Sequence, residues 1–147
     1  MSILKNIEND LKDAMKNKDS FRLGVLRLIK TELKNKEIEL IRPVTEPEFM
    51  ALLSRMVKQR KDSIDQYTKG GREDLAKNEA DELNVINQYL PQQLTEDEVK
   101  TLISEAKQKT GAQSAKDMGL IMKEIKEKTT GRFDGKVLAD LVKASLS

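Results

Sequence analysis

The sequence predicts an all-α fold, and three features carry that prediction. Apolar residues recur at three- and four-residue steps along the whole chain, the period of helices that each bury one face. No stretch alternates apolar and polar residues as a half-buried strand would. Capping boxes, prolines and glycines punctuate the chain at helix-sized intervals.

Taken in order, Ser2 is placed to cap a first helix bearing Ile3, Leu4, Ile7, Leu11, Ala14 and Met15. Lys18-Asp19-Ser20 reads as a break. A second helix carries Leu26, Ile29, Leu33 and Leu40, broadened by Phe21, Leu23, Val25 and Leu28 into an arc wide enough for several neighbours. Pro43 closes that segment. Thr45-Glu46-Pro47-Glu48 is a capping box with proline in the first turn, where its missing N–H does no harm. Phe49, Leu53, Met56, Val57, Ile64 and Tyr67 continue the third helix to Gly70-Gly71. A fourth helix holds Leu75, Ala76, Leu83, Ile86, Tyr89 and Leu90 and stops at Pro91.

A second capping box, Thr95 with Glu98, opens a fifth helix with Val99, Leu102, Ile103 and Ala106, closed by Gly111. Ser114 and Asp117 start a sixth, bearing Met118, Ile121, Met122 and Ile125 before Gly131. Asp134 caps a seventh with Leu138, Leu141, Val142 and Leu146. We therefore expect a four-helix N-terminal domain over residues 1–91 and a three-helix C-terminal domain over 95–147, joined at Pro91–Thr95.

Composition limits the chemistry. Among 147 residues, 37% are apolar and 35% are charged, against ~25% charged in an ordinary domain, so the solvated surface is large for the core. The net charge is only +2, divided evenly on either side of Pro91, and nothing in the total demands a nucleic-acid partner. There is no His and no Cys, which excludes Cys/His zinc sites, thiol chemistry, disulfides and Ser-His-Asp triads. The missing cysteines fit, without requiring, a reducing setting, and a cytoplasmic location is expected. Without Trp, and with 3 Phe and 2 Tyr, the chain offers few platforms for stacking bases. No apolar run spans a bilayer and no signal-peptide-like stretch opens the chain, so a soluble protein without membrane contact is expected.

The sequence carries little that resembles an active site. Gly131-Arg132-Phe133-Asp134-Gly135-Lys136 falls short of a phosphate loop, because three residues rather than four separate the glycines, Val137 follows the lysine and no strand precedes. Asp62/Asp65 and Glu79/Glu82 have the spacing to hold Mg²⁺ or share a proton. Lys58 and Lys61, four residues before the two aspartates, suit ordinary surface ion pairs better. Gly70-Gly71-Arg72 before a helix offers backbone N–H groups to an anion, but Glu73 and Asp74 would repel it. No catalytic residue, metal ligand or cofactor is therefore expected.

Two basic surfaces remain. On the sixth helix, Lys116, Lys123 and Lys126 lie opposite the apolar arc, with Gly119 on their face. Glycine inside a helix costs about 1 kcal/mol relative to alanine, and the usual return is the close approach of another surface. Lys128, Arg132 and Lys136 add charge around the turn at Gly131, giving a footprint suited to a sugar-phosphate backbone. The same lysines also suit a solvated face beside Glu124 and Glu127. The secondary stripe is Arg27, Lys30 and Lys34 on the second helix, in a stretch (residues 5–36) with nine basic and five acidic side chains. Arg55, Lys58, Arg60 and Lys61 would extend it if the second and third helices lay side by side.

Several motifs in order resemble the small bacterial YqeY proteins. They are Leu11-Lys12-Asp13-Ala14-Met15 with Arg22-Leu23 and Leu26-Arg27-Leu28-Ile29; Arg60-Lys61-Asp62-Ser63-Ile64 with Tyr67; Gly70-Gly71-Arg72-Glu73-Asp74-Leu75-Ala76; Tyr89-Leu90-Pro91-Gln92-Gln93-Leu94; and Asp117-Met118-Gly119 with Met122, Gly131-Arg132 and Asp134-Gly135. That family is similar to the C-terminal tail of the GatB subunit of tRNA-dependent amidotransferases, which contacts the body of the tRNA while the chemistry occurs elsewhere. The tail pattern falls on Ile121-Met122-Lys123, Gly131-Arg132 and Val137 to Leu146. This chain departs from it at Phe133-Asp134-Gly135, where the tail carries Ala-Asn/Asp-Pro.

The resemblance implies a non-catalytic GatB-tail-like module that binds tRNA or another structured RNA through backbone phosphates, with Lys116, Gly119, Lys123, Lys126, Gly131, Arg132 and Lys136 as the contact. The alternatives are a protein-interaction adaptor and an accessory to glutamine-dependent tRNA amidotransferase.

Overall fold

A computed structural model describes residues 2–147 and is all-α, with seven α-helices, one short 3₁₀ turn and no strand among the described residues. Contacts divide the chain into two compact units, with the boundary along the sequence between Pro91 and Gln92.

The first unit holds α1 (Ser2–Lys16), α2 (Ser20–Leu40), α3 (Glu46–Lys69) and α4 (Glu73–Asn87). Its core is built from Ile7 of α1; Leu26, Ile29 and Leu33 of α2; Phe49, Leu53 and Met56 of α3; and Ile86 of α4. The N-terminus of α1 differs from expectation. Ser2 is the first residue of the helix rather than its cap, and the Glu46 carboxylate accepts from both Ser2 Oγ (2.7 Å) and Ile3 N (3.2 Å). An acid from the start of α3 thus satisfies one of α1's free N–H groups, that of Ile3, together with the Ser2 hydroxyl. Those hydrogen bonds hold the Glu46 carboxyl below its usual range.

Asp19 caps α2 by accepting from Arg22 N, and the helix ends before Pro43, with Ile41 in the left-handed conformation (φ 58°). The wide apolar arc expected for α2 is only partly used. Val25, Leu26, Ile29 and Leu33 are buried, whereas Phe21 and Leu28 are 43% and 36% exposed. The capping box of α3 forms as expected: Thr45 Oγ1 accepts from Glu48 N, and Glu48 accepts from Thr45 N. Arg42 grips the same Glu48 carboxylate with two N–H···O bonds of 2.8 Å. These donors hold the Glu48 carboxyl down to about 2.

Helix α3 packs chiefly along α4. Between them Arg60 Nε lies 3.2 Å from Glu82 Oε2, with both side chains largely shielded from solvent. Helix α4 stops at Asn87, earlier than expected, and Tyr89 and Leu90 fall in turns before Pro91. Tyr89 is fixed by a polar cluster: its hydroxyl donates to Asp10 Oδ2 (2.6 Å) and accepts from Arg22 Nη2 (3.2 Å).

The second unit holds α5 (Glu96–Thr110), a 3₁₀ turn (Ala115–Asp117), α6 (Met118–Thr129) and α7 (Gly135–Ser145). Ile103, Ile121, Ile125, Leu138 and Val142 form its core with Val99 and Leu94. Thr95 and Glu98 make the second capping box, and Gly111 ends α5 with φ 71°, a conformation that favours glycine. Ser114 and Asp117 cap the 3₁₀ turn, so the α-helix proper starts at Met118. Asp134 caps α7 by accepting from Val137 N (2.9 Å), and Lys107 Nζ closes its other end on the Ser145 carbonyl (2.6 Å).

Candidate nucleic-acid interface

Helix α6 buries Ile121, Ile125 and Thr129, with Met118 and Met122 partly covered. A helix that buries one stripe turns the residues about half a turn away to solvent. Gly119, Lys123 and Lys126 are all exposed there, and Lys116 is exposed on the 3₁₀ turn just before. Lys136 is exposed in the first turn of α7. None of these four lysines makes an ion pair among the described residues. Glu124, by contrast, is taken by Lys109 at 2.6 Å, which lowers the Glu124 carboxyl and raises the Lys109 ammonium. A Cβ added at Gly119 would have nothing within 4 Å, so packing inside the unit does not require glycine there.

The two residues at the centre of the expected footprint have other work. Gly131 is buried with φ 73°, which accounts for glycine at that position, and its carbonyl accepts from Gln93 Nε2 (2.7 Å). Arg132 Nε donates to the Gln92 carbonyl (2.8 Å) and Nη1 to the Lys128 carbonyl (3.2 Å). The Arg132 carbonyl in turn accepts from Leu94 N (2.8 Å). Gly131 and Arg132 thus fasten the segment before α5 to the turn after α6, through hydrogen bonds that for the Arg132 guanidinium lie at the surface. Sequence reasoning gave Gln92 and Gln93 no role. The signal was present in the Gln92-Gln93-Leu94 run, but spacing alone does not reveal a partner 38 residues away. Beside this clasp, Leu94, Leu102, Lys128 and Arg132 line a shallow hollow of about 280 Å³.

The other candidates resolve in different ways. Among the secondary stripe, Lys30 reaches Glu8 at 3.7 Å, while Arg27 and Lys34 are exposed without an ion pair. The stripe does not extend onto α3 through Arg60, which is held by Glu82 and by the Met56 carbonyl. Lys58 pairs with Asp62 (2.7 Å) as the spacing suggests, but Asp65 pairs with Lys69 (3.0 Å) rather than with Lys61. Arg72 folds onto Asp74 through two contacts of 3.2 Å, so the Gly70-Gly71 turn does not present it to an anion. No group of three or more acidic side chains is placed to hold a metal among the described residues.

A family model described as Yqey-like protein matches residues 4–146. The chain belongs to the YqeY family. Its similar curated relatives carry the name altered inheritance of mitochondria protein 41, mitochondrial. The one from Lachancea thermotolerans is 33% identical over 96% of this chain and 77% of its own length. That from Vanderwaltozyma polyspora is 36% identical over 76% of this chain and 64% of its own. A Saccharomyces cerevisiae protein of the same name is 33% identical over 71% and 60%.

This YqeY-family chain therefore spans less than two thirds of the latter two relatives. Their names overturn the cytoplasmic setting expected above, because these relatives are mitochondrial proteins. The expectation rested on missing cysteines, and a chain without cysteine suits any compartment that does not rely on disulfides. No helix is long and apolar enough to cross a membrane among the described residues.

Proposed function

We propose that this chain is a non-catalytic module that binds tRNA or another structured RNA by its phosphates, and that the contact lies on α6 and the start of α7. The observation that carries this reading is the set of four exposed lysines without ion pairs, Lys116, Lys123, Lys126 and Lys136, around an exposed helical glycine that no internal packing explains. Ammonium groups on a helix face without aromatic neighbours suit backbone phosphates rather than base edges. The family resemblance to the GatB tail supports the same partner. Gly131 and Arg132 also belong to the proposed contact, and their clasp on Gln92 and Gln93 holds the face in place. The further proposal, that residues 1–91 and 95–147 are separate four- and three-helix domains, makes the second domain the binding part.

The test is a titration of labelled total tRNA at two salt concentrations with wild type and with Lys116, Lys123 and Lys126 all changed to Glu. Exposed substitutions of this kind leave stability within about 0.5 kcal/mol each. Binding should fall steeply, and the log–log salt slope should flatten by roughly 0.7–0.9 per lost phosphate contact. Gly119→Ala provides a second arm: Gly119 lies in the first turn of α6 with open space around it, so the added methyl should leave the helix folded while weakening tRNA binding by blocking close approach. Wild-type binding by the triple variant at low salt would end this reading.

A further inference from the structure

Helix α2 carries an outward face that the fold leaves uncovered, and its pattern is that of a seam between two helices. Phe21, Gly24, Leu28, Thr31, Asn35 and Ile38 follow one another at alternating three- and four-residue steps, the a and d positions of two and a half heptads. All six are exposed, with Ile38 at 65%. The core face of the helix, Val25, Leu26, Ile29 and Leu33, lies on its other side.

Charge flanks this stripe with one sign on each side. In the same register Arg27 and Lys34 take the g positions, and Glu32 and Glu39 take the e positions. Arg27, Glu32 and Lys34 make no ion pair within the described chain, and Glu39 makes only an exposed contact with Lys36 along the same helix (3.5 Å). In a parallel, in-register pair of such helices, each g residue faces the e residue five positions on in its partner. Arg27 then meets Glu32 and Lys34 meets Glu39 of a second copy, twice over by symmetry. An antiparallel pair would set g against g and e against e, like charge against like.

Two residues in the stripe fit the same arrangement. Asn35 sits at an a position, where a buried asparagine pairs with its own copy and fixes a parallel dimer in register. Gly24 lies inside a helix with nothing within 4 Å of a Cβ built on it, so the monomer gains nothing from lacking a side chain there. A neighbouring helix packed against that point would.

From these features we infer that the α2 face is a homodimer seam, and that its occupant is a second copy of α2 running parallel. The apolar anchors are three, Phe21, Leu28 and Ile38, so the association is weak. This inference does not depend on the RNA reading, which rests on the other unit.

Sedimentation of the full chain should show the weight-average mass rising from 16.7 kDa toward twice that value as concentration increases from about 5 μM to about 500 μM. Leu28→Glu should stay at the monomer mass throughout with unchanged helix content. The double change Glu32→Lys with Glu39→Lys should abolish self-association, and so should Arg27→Glu with Lys34→Glu, but an equal mixture of the two should dimerise again. Because the chain has no cysteine, Asn35→Cys tests the register directly. Paired a positions bring Cα atoms within disulfide range, so this variant should oxidise to a covalent dimer faster than Asn84→Cys, an exposed site on α4. A constant monomer mass at all concentrations would overturn the inference, as would equal oxidation at positions 35 and 84. Charge-swapped variants that change tRNA affinity without changing mass would assign the stripe to RNA instead.

Discussion

At the scale of single residues, the polar side chains that matter most are those whose partners lie far away in sequence. Tyr89 hydrogen-bonds Asp10 across 79 positions, and burial followed by the Asp10 contact pushes its hydroxyl up to about 12 from the ordinary 10. The folded chain therefore holds this proton more tightly than the unfolded chain does. Stability from this group is complete below pH 10 and is lost as pH rises from 10 through 12. In a Tyr67→Phe background, the tyrosinate absorbance of the remaining Tyr89 should rise with a midpoint near 12. A midpoint near 10 would mean the Asp10 cluster does not form in solution. Nothing local in the sequence marks Tyr89 for this role, since it follows an apolar helical pattern and reads there as core. Arg132 teaches the same lesson in reverse. Its charge beside a glycine reads as a ligand contact, and nothing local shows that its guanidinium also serves two backbone carbonyls.

Helix elements were legible where their signals are local. Both Thr-x-x-Glu capping boxes, the glycine after α5 and the Asp134 cap follow from adjacent residues alone, and each forms at its expected place. Periodicity was less informative about exposure. It identified the apolar residues of α2 but not which of them the neighbours reach, so Phe21 and Leu28 read as core and stand in solvent. The α2–α3 corner shows how one local signal gains a distant partner. Glu48 caps α3 and also binds Arg42, which depresses its carboxyl to about 2. A depressed carboxyl stabilises the fold above its unfolded value and loses that contribution as pH falls toward the folded one. Gln at position 48 retains the cap but not the ion pair. Thermal midpoints of wild type and Glu48→Gln should therefore differ by a constant amount above pH 5 and converge as pH falls from about 4 to about 2. A difference that persists at pH 2 would place the effect in the cap rather than the charge.

For the whole molecule, the decisive segment is the short stretch between the two units. Pro91 and the Thr95 cap make residues 91–95 read as a linker, the kind of site where a protease cuts an exposed chain. Yet Gln92, Gln93 and Leu94 are all bound by the second unit: Arg132 holds the Gln92 carbonyl, Gln93 holds the Gly131 carbonyl, and Leu94 is 8% exposed in the core with Val99 and Ile103. A 56-residue unit has little core to spare, so this clasp is expected to carry a large share of its stability. Two fragments separate the possibilities. The fragment 92–147 keeps Leu94 and all three backbone contacts, and should unfold cooperatively by circular dichroism. The fragment 95–147 keeps every helix but loses them. Removing a buried leucine side chain alone costs about 2–5 kcal/mol, enough to leave so small a domain largely unfolded at 25 °C. Arg132→Ala in the longer fragment should fall between the two, because it frees Gln92 but leaves Leu94 in place. Equal stability of the two fragments would show that the segment is a passive linker and that the clasp around Gly131 contributes nothing.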